Sequence, residues 1–266
     1  MAQSKRLTSR EKQLSSNMSG AVEPGNDLGA SQQVKLKAIQ SVKHKGKHYI
    51  FEKKLGSGVQ SDVWLFRLEE QAFAAKITSN EWIYEPRKND PEYWKKRMLS
   101  LCREMVFLTL IDSPNVVKIE EIIKTRSNYY CVLEFANGGS LQSLLNKHTR
   151  FPEKVAIDCL RQIVAGCQAL YSVNVMHRDL KLDNILIHFP NRDLIDSEEL
   201  ANIDLENEPF IVKLADLGYA RELETNRLAR AQSFKGSPLM MAPEQLNTYW
   251  GRGSGYSYKI LSLIHI

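Results

Sequence analysis

The chain has 266 residues, 43% of them hydrophobic and 25% charged, the balance of a globular protein of one or two domains rather than a disordered or membrane-embedded one. A formal net charge of +5 is too diffuse to argue for nucleic acid as a partner, and no apolar run reaches the roughly 18 residues that a membrane helix needs. Met1–Arg6 lacks the apolar core of a secretory signal, and Cys102, Cys131, Cys159 and Cys167 have neither zinc-site pairing nor disulfide-scaffold density. These cysteines are read as buried apolar thiols. A cytoplasmic location follows as the expectation, with the nucleus as the alternative.

Residues 1–46 are rich in Ser, Gln, Lys and Gly without apolar periodicity, so a flexible tail is predicted there. From His48 onward, short apolar and β-branched runs predict three antiparallel strands at Tyr49–Phe51, Val63–Phe66 and Ala72–Ile77. Met98, Leu101, Cys102, Met105, Val106 and Leu108 recur at helical spacing and predict a long helix over 94–110. Two further strands are predicted at Val116–Ile123 and Tyr129–Phe135.

After Gly138-Gly139 the pattern turns helical. Ser140 is the expected N-cap of a short helix, and Val155, Cys159, Ile163, Val164, Cys167 and Leu170 mark the expected inner face of a longer one. The fold class is therefore α+β, in two lobes. The stretch His188–Pro209, with seven carboxylates between two strand-like runs, reads as a solvated hairpin insertion, the alternative being a dock for a basic partner.

Four segments carry chemistry. Leu55-Gly56-Ser57-Gly58-Val59-Gln60-Ser61-Asp62-Val63 lies between two strands, where glycines let backbone amides approach phosphate oxygens; alone, it also fits a plain turn. Lys76 closes an apolar strand and wants a counter-charge, for which Glu104, on the inward face of the long helix, is the best partner; the plainer reading is a structural ion pair. In Val175-Met176-His177-Arg178-Asp179-Leu180-Lys181-Leu182-Asp183-Asn184-Ile185-Leu186-Ile187, Asp179 can accept a hydroxyl proton, Lys181 can hold a phosphate and Asn184 can bind a metal ion. The fourth segment is Lys213-Leu214-Ala215-Asp216-Leu217-Gly218.

The 175–187 segment resembles the catalytic loop of eukaryotic-type protein kinases almost residue for residue. Asp216-Leu217-Gly218 resembles the family's metal-binding motif with Leu217 for Phe, and Gly236–Glu244 resembles the end of an activation segment closing on Ala242-Pro243-Glu244. Ser61 stands where the family's third loop glycine would be. The resemblance runs from about Tyr49 to Ile260. It implies a bilobal kinase fold: a five-stranded antiparallel N-lobe with one long helix (47–136) and a mainly helical, incomplete C-lobe (137–260). It further implies ATP and Mg2+ in the cleft, the adenine against Glu134, Phe135 and Ala136, and Ser or Thr hydroxyls of a protein substrate as acceptors. Lys181 and Gly236-Ser237-Pro238 are similar to the serine/threonine branch, and Gly236–Glu244 with the insertion are similar to the autophagy-initiating kinases and their protist relatives.

Ser233, four residues before Ser237, is the expected target of an upstream kinase, its phosphate pairing with Arg178; an ordinary polar loop residue is the alternative. A pseudokinase or scaffold, and a small-molecule or lipid kinase, are the competing functions. By family pattern a further stretch of roughly 80 to 100 residues is expected after Glu244. Leu261–Ile266 departs from that pattern, and one back-translation of it resembles a sequencing adapter, so a cloning scar is expected there. If the chain ends there, the helix carrying Val155, Cys159, Ile163 and Leu170 is expected to lose the partner it packs on in relatives and to leave an apolar face in water, with aggregation or a loose C-lobe as the result.

Overall fold

The computed structural model describes residues 41–58, 60–84, 89–222 and 246–247. The described residues fall into two compact units, the first within 1–106 and 119–135 and the second within 107–118 and 136–266.

The first unit is built on a six-stranded antiparallel sheet in the order β1-β2-β3-β4-β6-β5. Its strands are β1 (Ser41–His44), β2 (Lys47–Ser57), β3 (Asp62–Leu68), β4 (Gln71–Ser79), β5 (Ile119–Lys124) and β6 (Asn128–Glu134). Five strands were expected, and the sixth is β1, which lies in the segment expected to be a flexible tail. It pairs with β2 from Ser41↔Ile50 to His44↔Lys47 across Lys45-Gly46, whose φ angles of 47° and 81° make a two-residue hairpin turn. Inward-pointing Tyr49, Phe66, Phe73, Ala75, Ile77, Tyr130 and Val132 form one aromatic-rich core face, which Val42 of β1 helps to cover. Glu121 of β5 then ties the hairpin down: it accepts from Tyr49 Oη at 2.7 Å and pairs with Lys45 at 3.3 Å, Lys47 at 3.2 Å and His44 at 3.5 Å.

Helix α1 (Asn80–Tyr84) continues directly from β4, and α2 (Pro91–Leu110) follows. Asp90 starts α2 by accepting from the Tyr93 amide at 3.0 Å, and Pro91 takes the first position, where a missing N–H costs nothing.

The second unit contains α3 (Leu141–His148), α4 (Glu153–Ser172), β7 (Val175–Met176), β8 (Ile185–His188), α5 (Ser197–Asn202), β9 (Ile211–Leu214) and β10 (Arg221–Glu222). Ser140 caps α3 as expected, its Oγ accepting from the Ser143 amide at 3.1 Å. α4 buries Val155, Cys159, Ile163, Cys167 and Leu170 against elements that include β7 and β9. The apolar surface that this helix leaves outward lies on another face, and the inward placement of Val164 is corrected. With Ile157 and Leu160 it points outward, these three being 37 to 40% exposed. Gly166 permits the close approach, since a Cβ there would lie 2.6 Å from the Asn115 carbonyl.

Residues 107–118, expected in the N-lobe, belong to the second unit because their backbone is hydrogen-bonded to β9. Val117 N–H donates to the Leu214 carbonyl and Leu214 N–H to the Asn115 carbonyl, both at 2.9 Å. This also trims the strand expected from Val116, which begins at Ile119.

The acidic insertion spans the β8–β9 connection and is folded rather than a bare solvated loop. Phe189, Leu200, Ile203 and Leu205 are buried in it. Asp196 closes a capping box on α5 with Glu199. Asn137 holds its start, accepting from Phe189 N–H at 2.8 Å and donating to the carbonyls of Phe189, Arg192 and Asp193 at 3.0, 2.7 and 2.8 Å. Among the described residues, no helix is long and apolar enough to cross a membrane.

Candidate functional site

In the first unit, β2 and β3 are joined by the glycine-containing turn. Gly58 N–H donates to the Ser61 carbonyl at 2.9 Å, and Gly56↔Val63 and Ser57↔Asp62 are paired below it. Ser61 does not take a left-handed φ, so a side chain at the place of the third glycine imposes no backbone strain. Leu55 and Gln60 are exposed; Val59 lies outside the described residues. Asp62 would oppose an anionic ligand if left alone, but Ser57 Oγ donates to it at 2.6 Å and Lys54 Nζ lies 2.9 Å away. Burial pushes the Asp62 carboxyl up, yet the Ser57 hydroxyl and the Lys54 ammonium together bring it below the usual carboxylate range.

Lys76 lies on β4 between Ala75 and Ile77, which face the aromatic core, so its own side chain takes the opposite face. There Lys76 Nζ reaches Glu104 Oε1 of α2 at 2.6 Å, the pair expected from the sequence. Glu104 is 8% exposed, a burial that a carboxylate tolerates only with a partner of this kind. Cys131, opposite Lys76 in the sheet register, is buried, and burial reinforced by Glu104 holds its thiol far above the ordinary range. All four cysteines are buried, as expected, with burial pushing Cys159 up to about 12 and Cys167 up to about 11. Glu134 ends β6 in this unit, and Ala136, 6% exposed, begins the second stretch of the other.

In the second unit, the loop after β7 gathers Asp179, Lys181 and Asn184. Asn184 Nδ2 donates to Asp179 Oδ2 at 2.9 Å and to its carbonyl at 2.8 Å, and Lys181 Nζ lies 3.4 Å from Oδ2. Asp179 is 4% exposed, so its carboxylate is held by these neighbours rather than by water. With Asn184 Nδ2 committed to Asp179, Oδ1 is the atom left to ligate a cation.

Asp216 caps a short 3-10 turn, Leu217–Tyr219, in the left-handed region at φ 60°, its Oδ1 accepting from Gly218 N–H at 3.3 Å. Leu217 is buried, as expected of an apolar side chain in that place. Asn184 and Asp216 together offer hard oxygen donors, which suit Mg2+ rather than a softer ion.

His177 is a residue to which the sequence reading assigned no role. Its Nδ1 accepts from Asp179 N–H at 3.3 Å, while its Nε2 meets the Ala215 carbonyl at 2.9 Å, so Nε2 carries the proton. Burial lowers its pKa, and the neutral ring bridges the Asp179 loop to the residue before Asp216. Asn184 reinforces the bridge, its carbonyl accepting from Ala215 N–H at 2.9 Å. Arg178 Nε donates to the Tyr219 carbonyl at 2.7 Å. Ser233, Ser237 and the 242–244 motif lie outside the described residues.

The protein kinase domain family matches residues 49–261. Serine/threonine-protein kinase ATG1a of Arabidopsis thaliana is 31% identical over 197 residues, 74% of this chain and 27% of that protein. Serine/threonine-protein kinase ATG1c of the same plant is 34% identical over 203 residues, 76% of this chain and 24% of that protein. Probable serine/threonine-protein kinase fhkC of Dictyostelium discoideum is 30% identical over 168 residues, 63% of this chain and 25% of that protein. The chain thus spans about a quarter of the length of these curated relatives.

Proposed function

The chain belongs to the protein kinase family, on its serine/threonine, ATG1-like side, and from that premise we propose that it transfers the γ-phosphoryl group of ATP to Ser or Thr hydroxyls of a protein substrate. The observation that carries the reading is the convergence of Asn184 Nδ2 and Lys181 Nζ on one oxygen of the buried Asp179 carboxylate. Two donors there hold the carboxylate aimed, as a group that accepts the proton of an attacking hydroxyl must be. Lys181 then offsets negative charge on the migrating phosphoryl group. Lys76, oriented by Glu104, would hold phosphate oxygens of the nucleotide, the turn between β2 and β3 would add backbone amides, and Lys54 cancels the Asp62 charge beside it. Glu134 and Ala136 bound the adenine.

Mg2+, when bound, would neutralise charge on the phosphates, and Asn184 through Oδ1 and Asp216 through its carboxylate are the residues that would hold it. His177 keeps those two ligands in register with Asp179.

Labelled phosphate transfer from ATP with magnesium to a mixed Ser/Thr peptide library tests the reading, with Asp179→Asn beside the unaltered chain. Loss of at least about 10³-fold in rate is expected from removing a general base held in this way. Nucleotide binding without transfer by the unaltered, folded chain would instead identify a pseudokinase. We place the enzyme in the cytoplasm and its control at Ser233, whose phosphate pairs with Arg178. In the same assay on the full-length protein, Ser233→Ala is expected to lower turnover while ATP affinity holds; unchanged turnover would remove Ser233 from the scheme.

A further inference from the structure

The carbonyls at the end of a one-turn helix cannot be satisfied within it. α2 supplies donors to two of those of α1: Arg97 Nη1 donates to the Trp82 carbonyl, and Trp94 Nε1 to that of Tyr84 at 3.0 Å. The Arg97 guanidinium also stacks on two rings, its central carbon 3.9 Å from the Trp82 centroid and 4.7 Å from that of Tyr93. α1 is itself fixed to the sheet. It continues β4 without a break, Asn80 N–H and Nδ2 donate to the Ser127 and Arg126 carbonyls at 2.8 and 2.6 Å, and Ser79 Oγ accepts from Trp82 N–H at 3.1 Å.

Arg97 precedes Glu104 by seven residues, two helical turns, which puts both on one face of α2 about 10 Å apart. Lys76 precedes Trp82 by six residues along the β4–α1 segment. The same two pieces of chain therefore meet at Lys76–Glu104 and again nearer the start of α2, at Trp82–Arg97 and at Tyr84–Trp94, whose rings also pack edge to face. One ion pair between long side chains leaves a helix free to pivot and roll; a second attachment two turns away removes that freedom.

We propose that Arg97 is a positioning residue, the second pin of α2, which keeps Glu104 facing Lys76; its consequence for catalysis rests on the phosphoryl-transfer reading above. Tyr93 and Trp82 are the ring faces that hold the pin, and the flat guanidinium fits them as an ammonium does not.

The buried cysteines report on the pin without relying on turnover. Cys102 lies on α2 two residues from Glu104, whereas Cys159 and Cys167 lie on α4 in the other unit. Arg97→Met, Arg97→Lys and the unaltered full chain are exposed to a pulse of thiol reagent, and labelling is read site by site by mass spectrometry.

For Arg97→Met, Cys102 is expected to label about tenfold faster, the equivalent of one cation–π contact with its hydrogen bond, while Cys159 and Cys167 keep their rates. Arg97→Lys recovers part of the protection. With a peptide substrate, kcat falls about tenfold at unchanged peptide KM, the mark of a misplaced catalytic pair rather than lost substrate binding. Unchanged Cys102 labelling in the Met variant, or acceleration of all four cysteines together, would overturn the proposal. Differential labelling in a chain that transfers no phosphate would leave the pin standing and remove the phosphoryl-transfer reading.

Discussion

A single carboxylate, that of Glu121, organises the least expected part of the first unit. Burial raises its pKa, but the Tyr49 hydroxyl and the Lys47 and Lys45 ammonium groups more than reverse this, leaving it below the ordinary 4.5. A group whose folded pKa is depressed contributes stability that is present above the unfolded value and is lost as pH falls through the folded one. The clamp on β1 should therefore hold at neutral pH and open below about pH 4.5. Glu121→Gln removes the charge but keeps the shape. It is expected to cost about 1–3 kcal/mol at pH 7, by analogy with other buried charge-assisted hydrogen bonds, and to flatten the fall of Tm between pH 5 and 3. Parallel thermal melts of the two proteins across that range check this, and coincident acid limbs would show that Glu121 is not the titrating clamp.

Among elements, the insertion between β8 and β9 is where folding and composition diverge most. Its carboxylates look like a solvated face, yet Asp196 caps α5 and Asp204 accepts from Glu206 N–H at 3.1 Å and from Asn207 Nδ2 at 2.7 Å. Asn137 anchors its first residues, so Asn137→Ala removes at once its bonds to the Phe189 amide and to the Arg192 and Asp193 carbonyls, while the Phe189 carbonyl keeps the Arg192 N–H at 3.2 Å. A loss of about 2 kcal/mol is expected, with hydrogen exchange rising first over 189–205 and little over β2–β4. Uniform acceleration would mean that the insertion does not open as a separate piece. This divergence explains which parts of the molecule could be read beforehand. Asp179, Lys181, Asn184 and Asp216 stand in short contiguous motifs, and Lys76 and Glu104 each occupy a buried place where a charge needs a reason. β1 carries only one buried apolar residue, Val42, so no alternation announces it. Leu200, Ile203 and Leu205 are too widely spaced among charges to signal a core. Val164 follows Ile163 in an apolar run, and only packing shows which of the two turns inward. His177 acts through a backbone carbonyl 38 residues away, a contact that no local pattern encodes.

For the molecule as a whole, the expected division into a strand-rich and a helix-rich part stands, but the boundary is not a single point along the chain. The backbone passes from the first unit to the second after Val106, back after Lys118 and over again after Phe135. The detour is held by backbone hydrogen bonds to β9 and by Lys213, whose Nζ donates to the Pro114 carbonyl at 3.0 Å. Asn115 adds a side-chain bond from Nδ2 to the Val212 carbonyl at 2.8 Å. A cut in the peptide chain just after Phe135 would thus divide the polypeptide without dividing the second unit cleanly. The N-terminal piece would keep Phe107–Lys118 as a stitch laid along β9 of the other, so that the fold carries its own means of complementation from two separately made fragments.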